Sequence, residues 1–181
     1  MSIKDKGFKI CLSSVNDEDV EDMFYIVSKE EVTRFMESGF FPTSRQQCRE
    51  YLDAMNSSTK ECYFSIKKLY GNRNKGVALG FIKLQIHSWV HGIGEIGYML
   101  DPEYSGKGYT TEAIKLAISH GFNILNLQRI QAQCVVENVA SRRVLMRNKF
   151  IAEGTLRNAF YYNGNYYDKL IYSILREEYV V

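Results

Sequence analysis

The chain has 181 residues, enough for one domain with a substantial core, and its 45% hydrophobic and 24% charged residues are those of an ordinary globular protein. Its 23 Lys and Arg are nearly matched by 21 Asp and Glu, leaving a formal net charge of +2, so the balance gives no case for a nucleic-acid surface. The opening stretch from Met1 to Lys6 lacks the apolar core of a signal peptide, and no run approaches the ~20 apolar residues of a membrane span; a cytoplasmic protein with no membrane contact is expected.

In chain order, Phe8 to Leu12 forms a first strand, and Asn16 caps a helix with Val20, Met23, Phe24 and Val27 on one face. Val32, Phe35 and Met36 mark a second, short helix, broken between Gly39 and Pro42. Thr43 and Gln46 have capping-box spacing and open a third helix with Cys48, Tyr51, Leu52 and Met55 inward. Cys62 to Leu69 and Val77 to Ile86 are β-rich runs joined by a loop with Gly71 and Gly76 at its ends. A turn from Trp89 to Gly94 then delivers the chain into another strand at Glu95, giving three neighbouring antiparallel strands.

The stretch from Glu95 to Ala113 organises the rest. Its strand runs to Leu100 and is ended by Asp101 and Pro102, because proline has no amide hydrogen for a ladder. A helix follows in which Ile114, Ala117, Ile118, Gly121, Phe122 and Leu125 share one face, with Lys115, Ser119 and Asn123 on the other. Between strand and helix, Gly106 and Gly108 let the backbone turn so that several amide hydrogens point outward at a helix N-terminus, a favourable place for a phosphate. This is neither a P-loop, since Gly108 follows Lys107, nor a dinucleotide fingerprint, since Thr111 stands where a third glycine is needed.

Arg129 to Val136 alternates and returns beside the Glu95 strand as a β-α-β unit, and Asn138 caps a second amphipathic helix that contains Ser141 and Leu145. Asn163 and Gly164 lie between two strand-like runs as a hairpin turn; Tyr161, Tyr162, Tyr166 and Tyr167 there are expected to pack across strands. Cys11, Cys48, Cys62 and Cys134 lack paired spacing and are expected as small core residues. His87, His91 and His120 lack ligand spacing, so no metal is expected.

The run from Ser105 to Thr110 resembles the pyrophosphate loop of the GNAT acetyltransferases, Gln/Arg-x-x-Gly-x-Gly/Ala, with Ser105 and Thr110 departing from the pattern at its two ends. The Asn138-x-x-Ser141 run and the terminal hairpin, in the same order and spacing, are similar to the RimJ/RimL-type branch. The resemblance implies an α/β (α+β) GNAT fold, one domain over residues 1–181, with a mixed, mostly antiparallel sheet of about seven strands flanked by helices around a central β-α-β cofactor site. It further implies acetyl-CoA as cosubstrate, with its pyrophosphate over Ser105, Gly106, Lys107, Gly108, Tyr109 and Thr110 and its pantetheine held by backbone around Met99 and Leu100, where a bulge splays the strand. Asn138, Ser141 and Arg147 complete the implied cofactor contacts.

By the same resemblance Glu95 is the base, acting through water on a primary amine, while Ser141 or water protonates the departing thiolate. Leu145 occupies the position where many relatives carry a tyrosine acid, and Lys149 stands in place of a common glycine. A protein N-terminus is the expected acceptor: an α-amine with pKa near ~7.7 is roughly a sixth deprotonated at neutral pH, against less than about 0.1% for a lysine at ~10.4. A small-molecule amine such as an antibiotic, polyamine or amino acid is the enzymatic alternative, and a non-catalytic CoA-binding sensor the alternative from another class. A homodimer is left open.

Overall fold

The computed structural model describes residues 2–36, 42, 44–69 and 76–179. The elements are β1 (Ser2–Ile3), β2 (Ile10–Ser14), α1 (Val20–Val27), α2 (Glu30–Thr33), α3 (Arg45–Asn56), β3 (Glu61–Lys68), β4 (Ala78–Ser88), β5 (Ile93–Leu100), α4 (Tyr109–Asn123), β6 (Arg129–Val135), α5 (Val139–Arg147), β7 (Ile151–Tyr162) and β8 (Asn165–Leu175). They build one sheet of eight strands in the order β1-β2-β3-β4-β5-β6-β8-β7. Among the described residues only β5 and β6 run parallel; every other neighbouring pair is antiparallel. The strand beyond the expected seven is β1, two residues long and therefore too short to show an alternation.

The sheet has a helix layer on each face. On one face α4 sits in the larger core, where Ile114, Ala117, Ile118 and Phe122 meet Leu84, Ile96, Ile130 and Ile174. Full burial of an aliphatic or phenyl side chain of this size contributes about 1.5–3 kcal/mol, so this helix is anchored firmly to the sheet. Leu116 and His120 are buried as well, because α4 is covered on more sides than a two-faced amphipathic pattern implies. Across the sheet, α1 and α3 cover β2 to β4 through Val20, Met23, Ile26, Leu52 and Met55, against Ala78 and Phe81. Among the described residues no helix covers the same face of β5, β6 and β8, where Glu95, Gln131 and Gln133 lie together.

Several local expectations are corrected. The first full strand begins at Ile10 and not Phe8, whose amide bonds back to Asp5 in a turn. Asn16 caps a 3-10 turn, Asp17–Asp19, that leads into α1, with Asp19 closing the capping box. The cap of α3 is Ser44, whose hydroxyl accepts the Gln47 amide at 3.2 Å; Thr43, Gly39 and the loop from Gly71 lie outside the described residues. The turn at Asn163 and Gly164 joins β7 to β8 as expected, and Tyr161 opposes Tyr166 with ring centroids 5.0 Å apart.

Candidate active site

The site is made by two strands that part. β5 and β6 pair at Ile93 with Arg129, Gly94 with Ile130 and Glu95 with Gln131, and no further. From Ile96 to Leu100 the β6-facing side of β5 has no ladder partner, so backbone donors and acceptors are left toward the gap. No bulge produces this. The register of β5 on β4 is unbroken from Gly94 to Leu100, and the single shift lies at Ile86/Ser88, at the closed end. The end of β5 instead crowds onto β4, where a Cβ at Gly80 would stand 2.2 Å from the Met99 carbonyl oxygen; only glycine permits that approach.

A cavity of about 220 Å³ runs through the gap. On the α3 side its walls are Phe35, Met36, Tyr51, Met55, Tyr63 and Phe81, with Lys83, Glu95 and Gln133 from the strands. On the α5 side it reaches Tyr98, Cys134, Asn138 and Ser141. Phe35, Met36, Tyr51 and Met55 thus line the cavity, and the terminal hairpin contributes no lining residue among those described.

Glu95 stands at the apex of the gap, the last residue of β5 paired to β6. Strand alternation puts its side chain on the face that α4 does not cover, beside Gln131 and Gln133 of β6. Its Oε2 accepts from Gln131 Nε2 at 3.0 Å and Gln133 Nε2 at 3.4 Å, and His87 Nε2 lies 3.4 Å away. The carboxylate is therefore held in place by neutral amides and one exposed imidazole, with 17% of its side chain still accessible.

Across the gap, Asn138 Oδ1 accepts the Ser141 amide at 3.0 Å and caps α5, fixing the first turn of that helix at the cavity wall. Ser141 Oγ lies 2.8 Å from Tyr98 Oη. Burial pushes the Tyr98 phenol well above its ordinary range, with the Ser141 hydrogen bond opposing more weakly, so the hydroxyl stays protonated and available as a donor. Burial likewise pushes the Cys134 thiol up, next to Ser141. Leu145, on the same helix, is fully buried and has no acid to offer.

At the open end of the gap, Asp101 caps a short turn, Pro102–Tyr104, and is buried against Lys29 Nζ at 2.7 Å. Gly106 and Gly108 then take φ of +75° and +85°, which L side chains rarely adopt, and space is open where a Cβ would stand on either. Gly108 is the N-cap of α4 and no side chain caps that helix, so first-turn amides of a fifteen-residue helix are left for a ligand. An uncapped helix end beneath open space fits a pyrophosphate. Lys107 turns back, its Nζ donating to the Glu103 carbonyl at 3.0 Å, and Ser105 ends the preceding turn. Tyr109 is buried, Thr110 half-buried, and Arg147 exposed at the far end of α5 from Asn138.

Tyr98, Lys83, Gln131, Gln133 and His87 are the lining or supporting residues that sequence reasoning missed. Lys83 and His87 lie on β4, Tyr98 on β5 and Gln131 and Gln133 on β6, and no strand's own alternation says which two strands separate.

A parallel pair opening beyond a carboxylate, with a glycine turn and an uncapped helix at its mouth, is an arrangement for admitting an extended, anion-bearing cofactor edge-on to a sheet. The acetyltransferase (GNAT) domain model matches residues 9–151, and the chain belongs to that family. It is an N-acetyltransferase. Over 170 residues it is 31% identical to the uncharacterized N-acetyltransferase YoaA of Bacillus subtilis, covering 93% of this chain and 94% of that one. It is 32% identical over 105 residues to the spermidine N(1)-acetyltransferase of Escherichia coli, 58% and 56% of the two chains. The solved structure of RimL, a ribosomal L7/L12 alpha-N-protein acetyltransferase in complex with coenzyme A, superposes with a TM-score of 0.85 over 98% of this chain and 99% of that one; at 20% identity the likeness is one of fold.

Proposed function

We propose that the chain, as one domain over residues 1–181 acting in the cytoplasm, transfers the acetyl group of acetyl-CoA directly to a protein N-terminal α-amine. The observation that carries this is the gap beyond the Glu95–Gln131 pair, which joins a carboxylate on one face of the sheet to the Tyr98–Ser141 hydroxyls on the other. The pyrophosphate would rest on the amides from Gly106 to Thr110, and the pantetheine would run along the unpaired edge at Met99 and Leu100, adding to β5 as a strand does. Ser105, Lys107 and Arg147 stay in the proposed phosphate environment as residues at its rim, and Asn138 holds α5 at the cofactor's arm.

The acceptor enters from the α3 side, where Glu95 takes the ammonium proton through water and leaves a neutral amine. On the other side the Ser141 hydroxyl, hydrogen-bonded to a phenol that burial keeps protonated, supports the departing thiolate. The likeness to spermidine acetyltransferase keeps a polyamine as the second candidate. Against it stands the lining: Tyr51, Met55, Phe81 and Phe35 make an apolar wall for a first side chain, and Lys83 adds a cation where a polyamine needs carboxylates. Incubation with acetyl-CoA and a set of N-terminal peptides, with spermidine alongside, tests the proposal by thiol release. Turnover on peptides is expected; turnover on spermidine alone overturns the N-terminal assignment.

A further inference from the structure

We infer that Lys83 selects the acceptor by binding a carboxylate next to its amine, so that the preferred N-terminus is one followed by an acidic residue. The inference rests on the assignment of the cavity to acetyl transfer onto an N-terminus and names the substrate class within it.

Lys83 lies on β4 directly opposite Gly97, and Glu95 lies two residues before Gly97 on the same strand. The two charged residues are thus diagonal cross-strand neighbours on one face, with Cβ atoms roughly 7 Å apart in such a pairing. The lysine stem crosses over Gly97: a Cβ added there would meet Lys83 Cε at 3.0 Å. Its Nζ donates to the neutral Gln85 Oε1 at 3.3 Å, and among the described residues no carboxylate lies within ion-pair distance of it. Two other partly or fully buried lysines are treated differently. Lys29 is 2.7 Å from Asp101, and Lys67 is 2.7 Å from Asp19. A cation in a partly desolvated cavity whose partner among the described residues is a neutral amide calls for an anion.

Glu95 and Lys83 together make a dipole across the cavity floor. An acceptor that places its amine at Glu95 and a carboxylate at Lys83 satisfies both, as an α-amine followed by an acidic side chain does. The same lysine opposes a second ammonium. Two like charges within about 7 Å of each other at an effective dielectric near 20 repel enough to weaken binding by roughly tenfold or more.

The test uses three peptides that differ only at the second residue, Glu, Ala or Lys, with kcat/KM for wild type, Lys83→Met and Lys83→Glu. Wild type is expected to prefer Glu over Ala by about tenfold and Ala over Lys by a similar factor. Lys83→Met should bring the three peptides to one level, with CoA affinity by calorimetry unchanged, and Lys83→Glu should reverse the order. If free glutamate is used faster than the Glu peptide, and Lys83→Met removes that advantage, the acceptor is an amino acid and both the N-terminal assignment and the acidic-second-residue preference are overturned. Equal wild-type rates on all three peptides, or a Glu preference that survives Lys83→Met, overturn the inference and leave N-terminal acetylation standing. No peptide turnover beside rapid spermidine turnover overturns both.

Discussion

Replacing Glu95 with glutamine removes a base while keeping its shape. The amide retains one oxygen to accept from Gln131 and Gln133, which lie 3.0 and 3.4 Å from the present carboxylate, so cavity and sheet should persist and CoA affinity should hardly change. Loss of a positioned general base costs typically 10²-fold or more in turnover. Part of this is recoverable. An α-amine of pKa ~7.7 is about 17% neutral at pH 7 and about 95% at pH 9, so a variant that must wait for free amine gains about sixfold over that interval. Of a 10²-fold loss, a deficit of roughly seventeenfold then remains, reflecting the proton path through the site that solution base does not replace. Steady-state rates from pH 6 to 10 on a confirmed peptide acceptor give both numbers. A Glu95→Gln enzyme with the wild-type rate and profile removes Glu95 as base and leaves water as the proton acceptor.

Three further outcomes are expected. Ser141→Ala and Tyr98→Phe should each lower kcat by less than Glu95→Gln, since a thiol of pKa ~8.5 leaves tolerably unaided, and neither loss should be recovered at pH 9; recovery there would assign these hydroxyls to the amine and not the thiolate. Gly108→Val forces a β-branched residue to φ +85°, a strain of about 1–3 kcal/mol that the loop relieves by moving, so CoA should bind about ten- to a hundredfold more weakly while circular dichroism is unchanged. Unaltered affinity would sink the pyrophosphate loop. Lys149 adopts φ +65° just after α5 with an exposed side chain, and relief of ~1–2 kcal/mol of left-handed strain, less ~0.5–1 for glycine's chain entropy, makes Lys149→Gly more stable by about 0.5–1 kcal/mol in urea unfolding.

Where the sequence was legible, one strong local signal stood behind each element. The apolar face of α4, the Asn138 cap and the Asn163–Gly164 turn each depend on chemistry within a few residues, and each lies where its residues place it. Lys149 shows the same rule from the other side: the chain turns there as though it carried glycine, and lysine bears the strain. What was not legible depends on pairs distant in sequence. At Gly80 the Met99 carbonyl of the neighbouring strand stands where a Cβ would be, and no periodicity records that contact. The resemblance supplied a bulge for the same opening, whereas the register of β5 on β4 is unbroken from Gly94 to Leu100. Tyr98 resembles any cross-strand aromatic until Ser141, 43 residues on, is found at its hydroxyl. Lys83 and Glu95 become neighbours only through the β4–β5 register.

The most direct measurement is a crystal structure of the protein with coenzyme A and an N-terminal peptide. It should show the pyrophosphate on the amides of Gly106 to Thr110, the pantetheine along Met99 and Leu100 between β5 and β6, and the sulfur in the cavity between the Ser141 hydroxyl and the peptide amine, with Glu95 within one water of that amine. A cofactor bound with its sulfur outside the gap, or a peptide amine on the α5 side away from Glu95, would contradict the account.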